Sequence, residues 1–329
     1  MRLTIKRAAV RSIVVALMLL AMAVIAEAQQ AKVYRVGVIQ AAGPFRIVVE
    51  GMRDGLKELG YEDGKQIRLE IRDTKGDVNA VKEAAQTFER DKVNLIYVVT
   101  TLAAVAVKES TSDTPIVFAV AGDPISNGLI QSFAKPGGRL TGVCYLTVDL
   151  TPKRLEILNE ILPKLRKVVA FYNPKNPIST EAAKLGRDAA QRMKIQFIER
   201  PVTSVDELRS VLQKLKPGET DAYFYVSDAM IMNNAQTIIH TTLEKKLPTM
   251  FTEQSLVAAG GLASYGQNFH EVGRISAKYV QKVLTGTRPQ ELPVEQPREY
   301  ELVINLKTAK QIGVTIPQSV VYRADKVIK

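Results

Sequence analysis

Residues Leu95 to Val120 read LIYVVTTLAAVAVKESTSDTPIVFAV, and this stretch decides the fold class. It begins with a continuous apolar run at 95–99 and ends with another at 116–120. Runs of this kind, rich in Val and Ile, are typical of strands that are buried on both faces of a parallel sheet. The segment 102–108 between them is predicted to be helical. A strand, a helix and a second strand form a right-handed βαβ unit.

The same alternation continues on both sides of this unit. Toward the N-terminus, the hydrophobic spacing predicts strands at 34–39 and 67–71 and helices at 45–59 and 78–90. A short helix is predicted after Gly122-Asp123-Pro124, and a strand-like run follows at 140–145. A second set then has predicted strands at 168–172, 195–198, 222–226, 249–251 and 263–266, with helices at 152–162, 180–193, 205–215, 231–245 and 253–259.

The last sixty residues form a tail that could contact both sets of strands and helices. A helix is predicted at 270–284, an extended crossing at 289–297 with three prolines, a strand at 300–304, and helices at 306–311 and after 317. We therefore expect an α/β protein of two doubly wound parallel-sheet lobes joined by crossing strands. The predicted N-terminal lobe is 29–144 plus 268–297, and the C-terminal lobe is 145–267 plus 298–329. Such lobes enclose a cleft at the carboxyl ends of their strands.

The first 28 residues are predicted to be a signal peptide. Four cations between residues 2 and 11 precede an uncharged apolar run, Ile13 to Ile25, and then Ala26-Glu27-Ala28. This is the order of a secretory signal with cleavage near Ala28, and the run is too short to span a bilayer. We expect the mature protein to act in the periplasm.

Composition narrows the possible functions. The formal charge is +11, and removing residues 1–28, which carry four cations and one acid, leaves +8. The remaining cations are scattered, which favours a solvated basic surface over a site for nucleic acid. Cys144 is the only cysteine, so no intramolecular disulfide can form. We expect its side chain to be a small buried apolar group.

The chain has few of the motifs that enzymes use. There is no G-x-S-x-G sequence and no phosphate-binding loop, and the two histidines have no neighbours at metal-ligand spacing. An exported hydrolase is therefore a weak alternative, and neither a metal nor a cofactor is expected.

Several motifs together resemble those of ABC transporter substrate-binding proteins, in the group with tryptophan- and tyrosine-binding members. The similar stretches are 53–61 (RDGLKELGY), 122–124 (GDP), 135–143 (KPGGRLTGV), 153–158 (KRLEIL), 172–174 (YNP), 260–266 (GGLASYG), 292–297 (LPVEQP) and 301–309 (ELVINLKTA). No single motif is decisive, but their order and spacing are specific and span nearly the whole mature chain.

The resemblance implies a type I periplasmic-binding-protein fold, which is similar to the core of lac-repressor-type regulators. It also implies hinge closure around a small solute and delivery to an ABC permease in the inner membrane. We expect a monomer that binds no nucleic acid, because a signal peptide stands where regulators carry their DNA-binding headpiece. Ligand-binding residues carried over from the family lie at strand ends: Gln40, Ala42, Thr100, Thr101, Asp123, Asn173, Ser227, Asp228 and Tyr265.

Each of these residues also has a purely structural interpretation. Asp123 before Pro124 is a favoured helix N-cap, and Thr100, Thr101 and Asp228 could equally cap the helices that follow them. Asn173 marks a turn, and Tyr265 could pack at the hinge. Phe45 could form an aromatic wall for a ligand or belong to the core. What favours a site is the convergence of these residues on strand ends.

The sequence leaves the identity of the solute open. No Arg or Lys is recognised as well placed to pair with a ligand carboxylate in two hydrogen bonds, although helix N-termini and backbone N–H groups can hold such a group. An aromatic or branched amino acid is the first hypothesis, and a nucleoside-like or small aromatic solute is the second. A periplasmic sensor that presents its bound form to a membrane receptor uses the same fold and remains an alternative to transport.

Overall fold

The computed structural model describes residues 33–41, 43–145, 147–216 and 218–329, which form two α/β lobes. The predicted signal peptide lies outside the described residues. Each lobe has its own sheet, of five strands in the first and seven in the second. The two-lobed α/β class is therefore confirmed.

The sheet of the first lobe has the order β2-β1-β3-β4-β5, and all its neighbouring strands are parallel. The strands are β1 (Tyr34–Gln40), β2 (Ile67–Asp73), β3 (Leu95–Val99), β4 (Ile116–Val120) and β5 (Leu140–Cys144). The helices that follow them are α1 (Arg46–Glu58), α2 (Val78–Arg90) and α3 (Thr101–Ser110). Every residue of β3 and β4 is buried, as their continuous apolar runs predict, and every residue of β5 is buried too.

The sheet of the second lobe has the order β12-β11-β10-β9-β8-β6-β7. Its strands are β6 (Lys167–Tyr172), β7 (Gln196–Pro201), β8 (Ala222–Phe224), β9 (Thr249–Phe251), β10 (Ala263–Gly266), β11 (Glu301–Asn305) and β12 (Lys326–Ile328). The helices between β5 and β10 are α4 (Thr151–Ile161), α5 (Pro177–Arg192), α6 (Val205–Lys214), α7 (Ala229–Asn233), α8 (Ala235–Glu244) and α9 (Gln254–Ala258). The tail adds α10 (Phe269–Leu284), α11 (Leu306–Ile312) and α12 (Gln318–Arg323).

Helix α10 returns to the first lobe and packs tightly against α1. A Cβ atom on Gly273 would lie 1.9 Å from the carbonyl oxygen of Val48, and one on Gly51 would lie 1.9 Å from that of His270. These glycines let the two helix backbones touch. Next along the chain, Glu295 bridges to Val143 beside β5, so the extended crossing also contacts the first sheet. The exact lobe boundaries remain a prediction.

Four local expectations differ from the structure. Asp123 begins a series of turns and no helix, with its carboxylate capping the backbone N–H of Ile125 at 2.9 Å. The helix expected at 231–245 is broken at Asn234, whose side chain donates to the carbonyl of Met230 at 2.8 Å. The tail ends in an unpredicted strand, β12, and β10 and β11 pair antiparallel.

Cys144 is fully buried, as expected, and its thiol donates to the carbonyl of Gly122 at 3.4 Å. Within the described ranges, no helix is long and apolar enough to cross a membrane.

Candidate functional site

A cavity lies between the two lobes at the carboxyl ends of their strands, and water-sized molecules can place their centres in about 50 Å³ of it. In this closed arrangement the cavity has room for a few buried waters. Its lining from the first lobe and α10 is Phe45, Thr100, Thr101, Leu102, Ala121, Tyr145 and Phe269; the rest is Thr147, Asn176, Ile178, Tyr225, Ser227, Asp228, Ala229, Met232 and Thr252.

The lobes are closed against each other around this cavity. A Cβ on Gly122 would lie only 2.4 Å from Cδ1 of Ile178 in the opposite lobe. On another side, a Cβ on Gly43 would lie 3.0 Å from Oδ1 of Asn233. One hydrophobic cluster also runs without interruption from β1 through Phe269 to Tyr225. The structure therefore shows the lobes in contact, with glycines at their closest approaches.

Aromatic rings form the wall on the first-lobe side. Phe45 stacks on Phe269 with ring centroids 6.0 Å apart, and Tyr145 meets Phe269 edge-on at 5.4 Å. Offset and edge-to-face pairs at these distances are favourable beyond the area they bury. Phe45 thus lines the cavity and is also 6% exposed, so it is both a wall residue and part of the core.

Thr100 and Thr101 both line the cavity, and both also serve the local fold. Thr100 has a φ of 87°, an unusual conformation for a β-branched residue, and its hydroxyl accepts from the backbone N–H of Ala103 at the start of α3. The hydroxyl of Thr101 accepts from the N–H groups of Ala121 and Gly122 at 3.2 and 3.3 Å. The two threonines join the ends of β3 and β4 at the cavity wall.

Asp228 lines the cavity, but its carboxylate is already engaged within the second lobe. Oδ1 accepts from the N–H of Ile231 at 3.1 Å, and Oδ2 accepts from the N–H of Asn173 at 3.0 Å and from the hydroxyl of Ser179. The hydroxyl of Tyr225 bonds both the carbonyl and the N–H of Asp228 at 2.9 Å. Asp228 therefore holds this wall together, and its neighbour Ser227 presents a buried hydroxyl with no protein partner.

The structure does not bring all the predicted residues to the cavity. Ala42 lies outside the described residues. Four others are absent from the lining: Gln40, Asp123, Asn173 and Tyr265. Asp123 caps its own turn, Asn173 bonds Lys175 and Asp228, and the ring of Tyr265 lies 6.0 Å from that of Tyr300. Direct contact of these residues with a ligand remains a prediction.

Several polar groups in and near the cavity wall are buried without a hydrogen-bond partner in the described part of the chain. Among the lining residues these include the hydroxyls of Tyr145, Thr147, Ser227 and Thr252. Arg154 on α4 is completely buried, and its Nε and Nη1 groups have no acceptor. Most buried polar groups in native proteins are hydrogen-bonded. The concentration of unsatisfied groups here indicates a site for a polar solute.

Burial changes the acidity of these groups. It raises the pKa of the Tyr145 and Tyr225 hydroxyls well above the ordinary value, so both stay neutral. Burial also lowers the pKa of Arg154 to about 9, so its guanidinium is still charged at neutral pH. The tyrosines of the wall are therefore neutral, and the cation Arg154 is buried without lining the cavity itself.

Sequence reasoning missed several wall residues that the strand-end rule could have found. Tyr145, Tyr225 and Thr252 each directly follow a buried strand, as Thr100 does. Arg154 left a different signal, because it shares the apolar face of α4 with Leu158 and Ile161 at helical spacing. Within the described ranges, no group of three or more His, Cys, Asp or Glu side chains could hold a metal ion.

Comparison with known proteins identifies the family. Residues 36–328 match the family described as ABC transporter substrate binding protein. The chain belongs to this family. This substrate-binding protein is similar to the tyrosine-binding protein of Clostridioides difficile (strain R20291), with 28% identity over 264 residues, which cover 80% of this chain and 75% of the relative.

Solved structures of similar proteins agree with this assignment. The ABC domain from Streptococcus pneumoniae, in complex with L-Trp, superimposes on the substrate-binding protein with a TM-score of 0.82 and 27% identity, covering 90% of this chain and 99% of the other. The transcription regulator CcpA of Lactococcus lactis shares the fold alone, with a TM-score of 0.56 and 15% identity over 82% of this chain and 97% of its own. The predicted type I fold and its likeness to lac-repressor-type cores are confirmed.

Proposed function

We propose that this chain is the periplasmic solute-binding component of an ABC uptake transporter, and that its solute is an aromatic or branched amino acid. The observation that carries the proposal is the interlobe cavity, which combines an aromatic wall with unpaired buried hydroxyls from both lobes. An apolar pocket with a few convergent polar groups is the usual form of a small-molecule site.

The contacts between the lobes suggest how binding is coupled to delivery. A solute that touches Phe45 and Phe269 on one side and Tyr225 on the other favours the closed state, because those contacts exist together only when the lobes meet. The closed monomer then presents surfaces of both lobes to a permease in the inner membrane. The relatives support the amino-acid class, since one is a tyrosine-binding protein and another is solved with L-Trp.

Thermal unfolding of residues 29–329 against a panel of amino acids, nucleosides, aromatic acids and sugars tests the proposal. A solute at about 1,000 times its dissociation constant adds roughly 4 kcal/mol to stability. For lobes of this size that is a rise of about 8–16 °C. Native mass spectrometry of the purified protein checks for a solute that was carried through purification.

A pair of variants places the effect in the cavity. Ala121→Leu adds three carbons inside the lining and should abolish the rise, whereas Ala258→Leu on the exposed face of α9 should keep it. If no amino acid raises the melting temperature and the protein carries no solute, the proposed solute class is wrong. If both variants respond like the wild type, the solute binds elsewhere.

A further inference from the structure

Arg154 is a fully buried cation that the fold does not satisfy. Among the described residues its only hydrogen bond runs from Nη2 to the hydroxyl of Thr151 at 2.9 Å, and Nε and Nη1 have no acceptor there. Arg139, in the first lobe, shows the usual arrangement of an arginine that serves structure alone. Its guanidinium donates four hydrogen bonds of 2.6–2.9 Å, to acceptors on Lys108, Thr111 and Thr114.

No carboxylate in the described part of the protein forms an ion pair with Arg154. The ion pairs between described residues all involve other cations, and Asp228, the acidic residue of the cavity lining, already accepts three hydrogen bonds. An isolated buried charge is strongly unfavourable unless an opposite charge joins it. The guanidinium fork matches the two oxygens of a carboxylate, with which it forms paired hydrogen bonds.

The position of Arg154 connects it to the cavity. Helix α4 starts four residues after Thr147, a lining residue, and packs on β9 and β10. Thr252, another lining residue, directly follows β9, on which α4 packs. The unpaired hydroxyls of Thr147 and Thr252 belong to the same lobe. Arg154 itself does not line the cavity, so a partner from the cavity has to reach it past these residues.

We infer that Arg154 binds the carboxylate of the solute. Tight binding then requires a free carboxylate as well as an aromatic or branched side chain. This inference rests on the proposed function of the cavity and assigns its chemical selectivity. It differs from the alternative that backbone N–H groups at a helix N-terminus hold the carboxylate. The aromatic wall then receives the side chain of the amino acid, and the unpaired hydroxyls face its polar groups.

A thermodynamic cycle tests the inference with L-tyrosine, L-tryptophan and their carboxamides. The carboxamides keep the amine but lack the negative charge of the carboxylate. We expect the wild type to bind each acid about 100-fold more tightly than its amide, as measured by calorimetry. In Arg154→Gln the affinity for the acid should fall by most of this 100-fold difference, while the affinity for the amide changes less than about threefold. Arg139→Gln is the matched control: its melting temperature should fall, and its acid-to-amide ratio should match the wild type.

Equal weakening of acid and amide in Arg154→Gln would show a merely structural role and overturn the inference. If that variant fails to fold, the wild-type ratio decides, and a ratio below about threefold overturns the inference. Ligand-free Arg154→Met gives a second readout: its melting temperature should equal or exceed that of the wild type, because an apolar isostere removes an unpaired buried charge. A large fall in that temperature would contradict the inference.

Failure of the proposed function gives different binding results from failure of the inference about Arg154. If amino acids and their amides bind equally well, the cavity is an amino-acid site and only the role of Arg154 is wrong. If no amino acid binds but another carboxylic acid does so in an Arg154-dependent way, the inference stands and the proposed solute class fails. If the wild type responds only to uncharged solutes, or to none, both are overturned.

Discussion

Replacing Asp228 tests whether this residue of the cavity wall is structural. Asp228→Ala removes the N-cap of α7, which is worth about 1 kcal/mol. It also leaves the N–H of Asn173 and the hydroxyl of Ser179, which is 0% exposed, without their charged acceptor. Unsatisfied buried donors cost about 1–3 kcal/mol each. Because the bond from the N–H of Asn173 is only part-buried, the lower part of that range applies, and the expected loss is roughly 3–4 kcal/mol, or about 6–16 °C in melting temperature.

Thermal unfolding of the ligand-free protein, followed by circular dichroism, measures this loss directly. Asp228→Asn keeps one acceptor oxygen for Ile231 and should lose about 2 kcal/mol. The control is Asp123→Ala, which removes an exposed cap from a turn and should cost about 1 kcal/mol or less. A melting temperature of Asp228→Ala within about 2 °C of the wild type would refute the reasoning, because the expected fall is about 6–16 °C. If that variant kept its stability but lost solute binding, Asp228 would be a ligand contact instead of a brace.

Three further predictions concern packing, thiol reactivity and pH. Gly273→Ala forces a Cβ against α1 and should cost about 3 kcal/mol in urea unfolding, whereas Gly138→Ala, with nothing within 4 Å of its Cβ, should change stability by less than about 0.5 kcal/mol. Burial raises the pKa of the Cys144 thiol to about 12, so Ellman's reagent at pH 8 should label it only in denaturant; rapid labelling of the native protein would contradict this. Burial raises the pKa of Glu253 above 4.5, so this carboxyl lowers the stability of the fold as pH rises from 4.5 through the folded-state pKa. The gain in melting temperature of Glu253→Gln over the wild type should therefore be larger at pH 7 than at pH 4.5, and an equal gain at both would refute the assignment.

The central parallel strands of the first sheet were predictable because they are buried on both faces. β3 and β4 occur at the residues that their apolar runs indicate, since no polar residue interrupts either run. β12 was not predictable in the same way. It has three residues, of which Lys326 is exposed, and it exists only because β11 offers it an edge. Short edge strands depend on their neighbours more than on their own sequence.

The candidate site was predictable at the level of strand ends but not of side-chain roles. Thr100, Thr101, Ser227 and Asp228 do line the cavity. A sequence shows that Asp228 precedes a helix, but it does not show that Asn173 and Ser179 from other elements also donate to its carboxylate. These are contacts between elements far apart in the chain, and they appear only once the lobe is assembled.

The surroundings of Arg154 could not be predicted from the sequence either. Its spacing places it on the apolar face of α4, yet arginine in such a position often reaches solvent through its long side chain. Only the assembled lobe shows that it is fully enclosed and unpaired.

A crystal structure of residues 29–329 with the amino acid that binds most tightly tests the central claim most directly. We predict that the solute lies between Phe45 and Phe269 on one side and Tyr225 on the other, with its carboxylate oxygens within hydrogen-bond distance of Arg154. A structure in which that amino acid occupies another surface, while the interlobe cavity contains only water, would contradict the account.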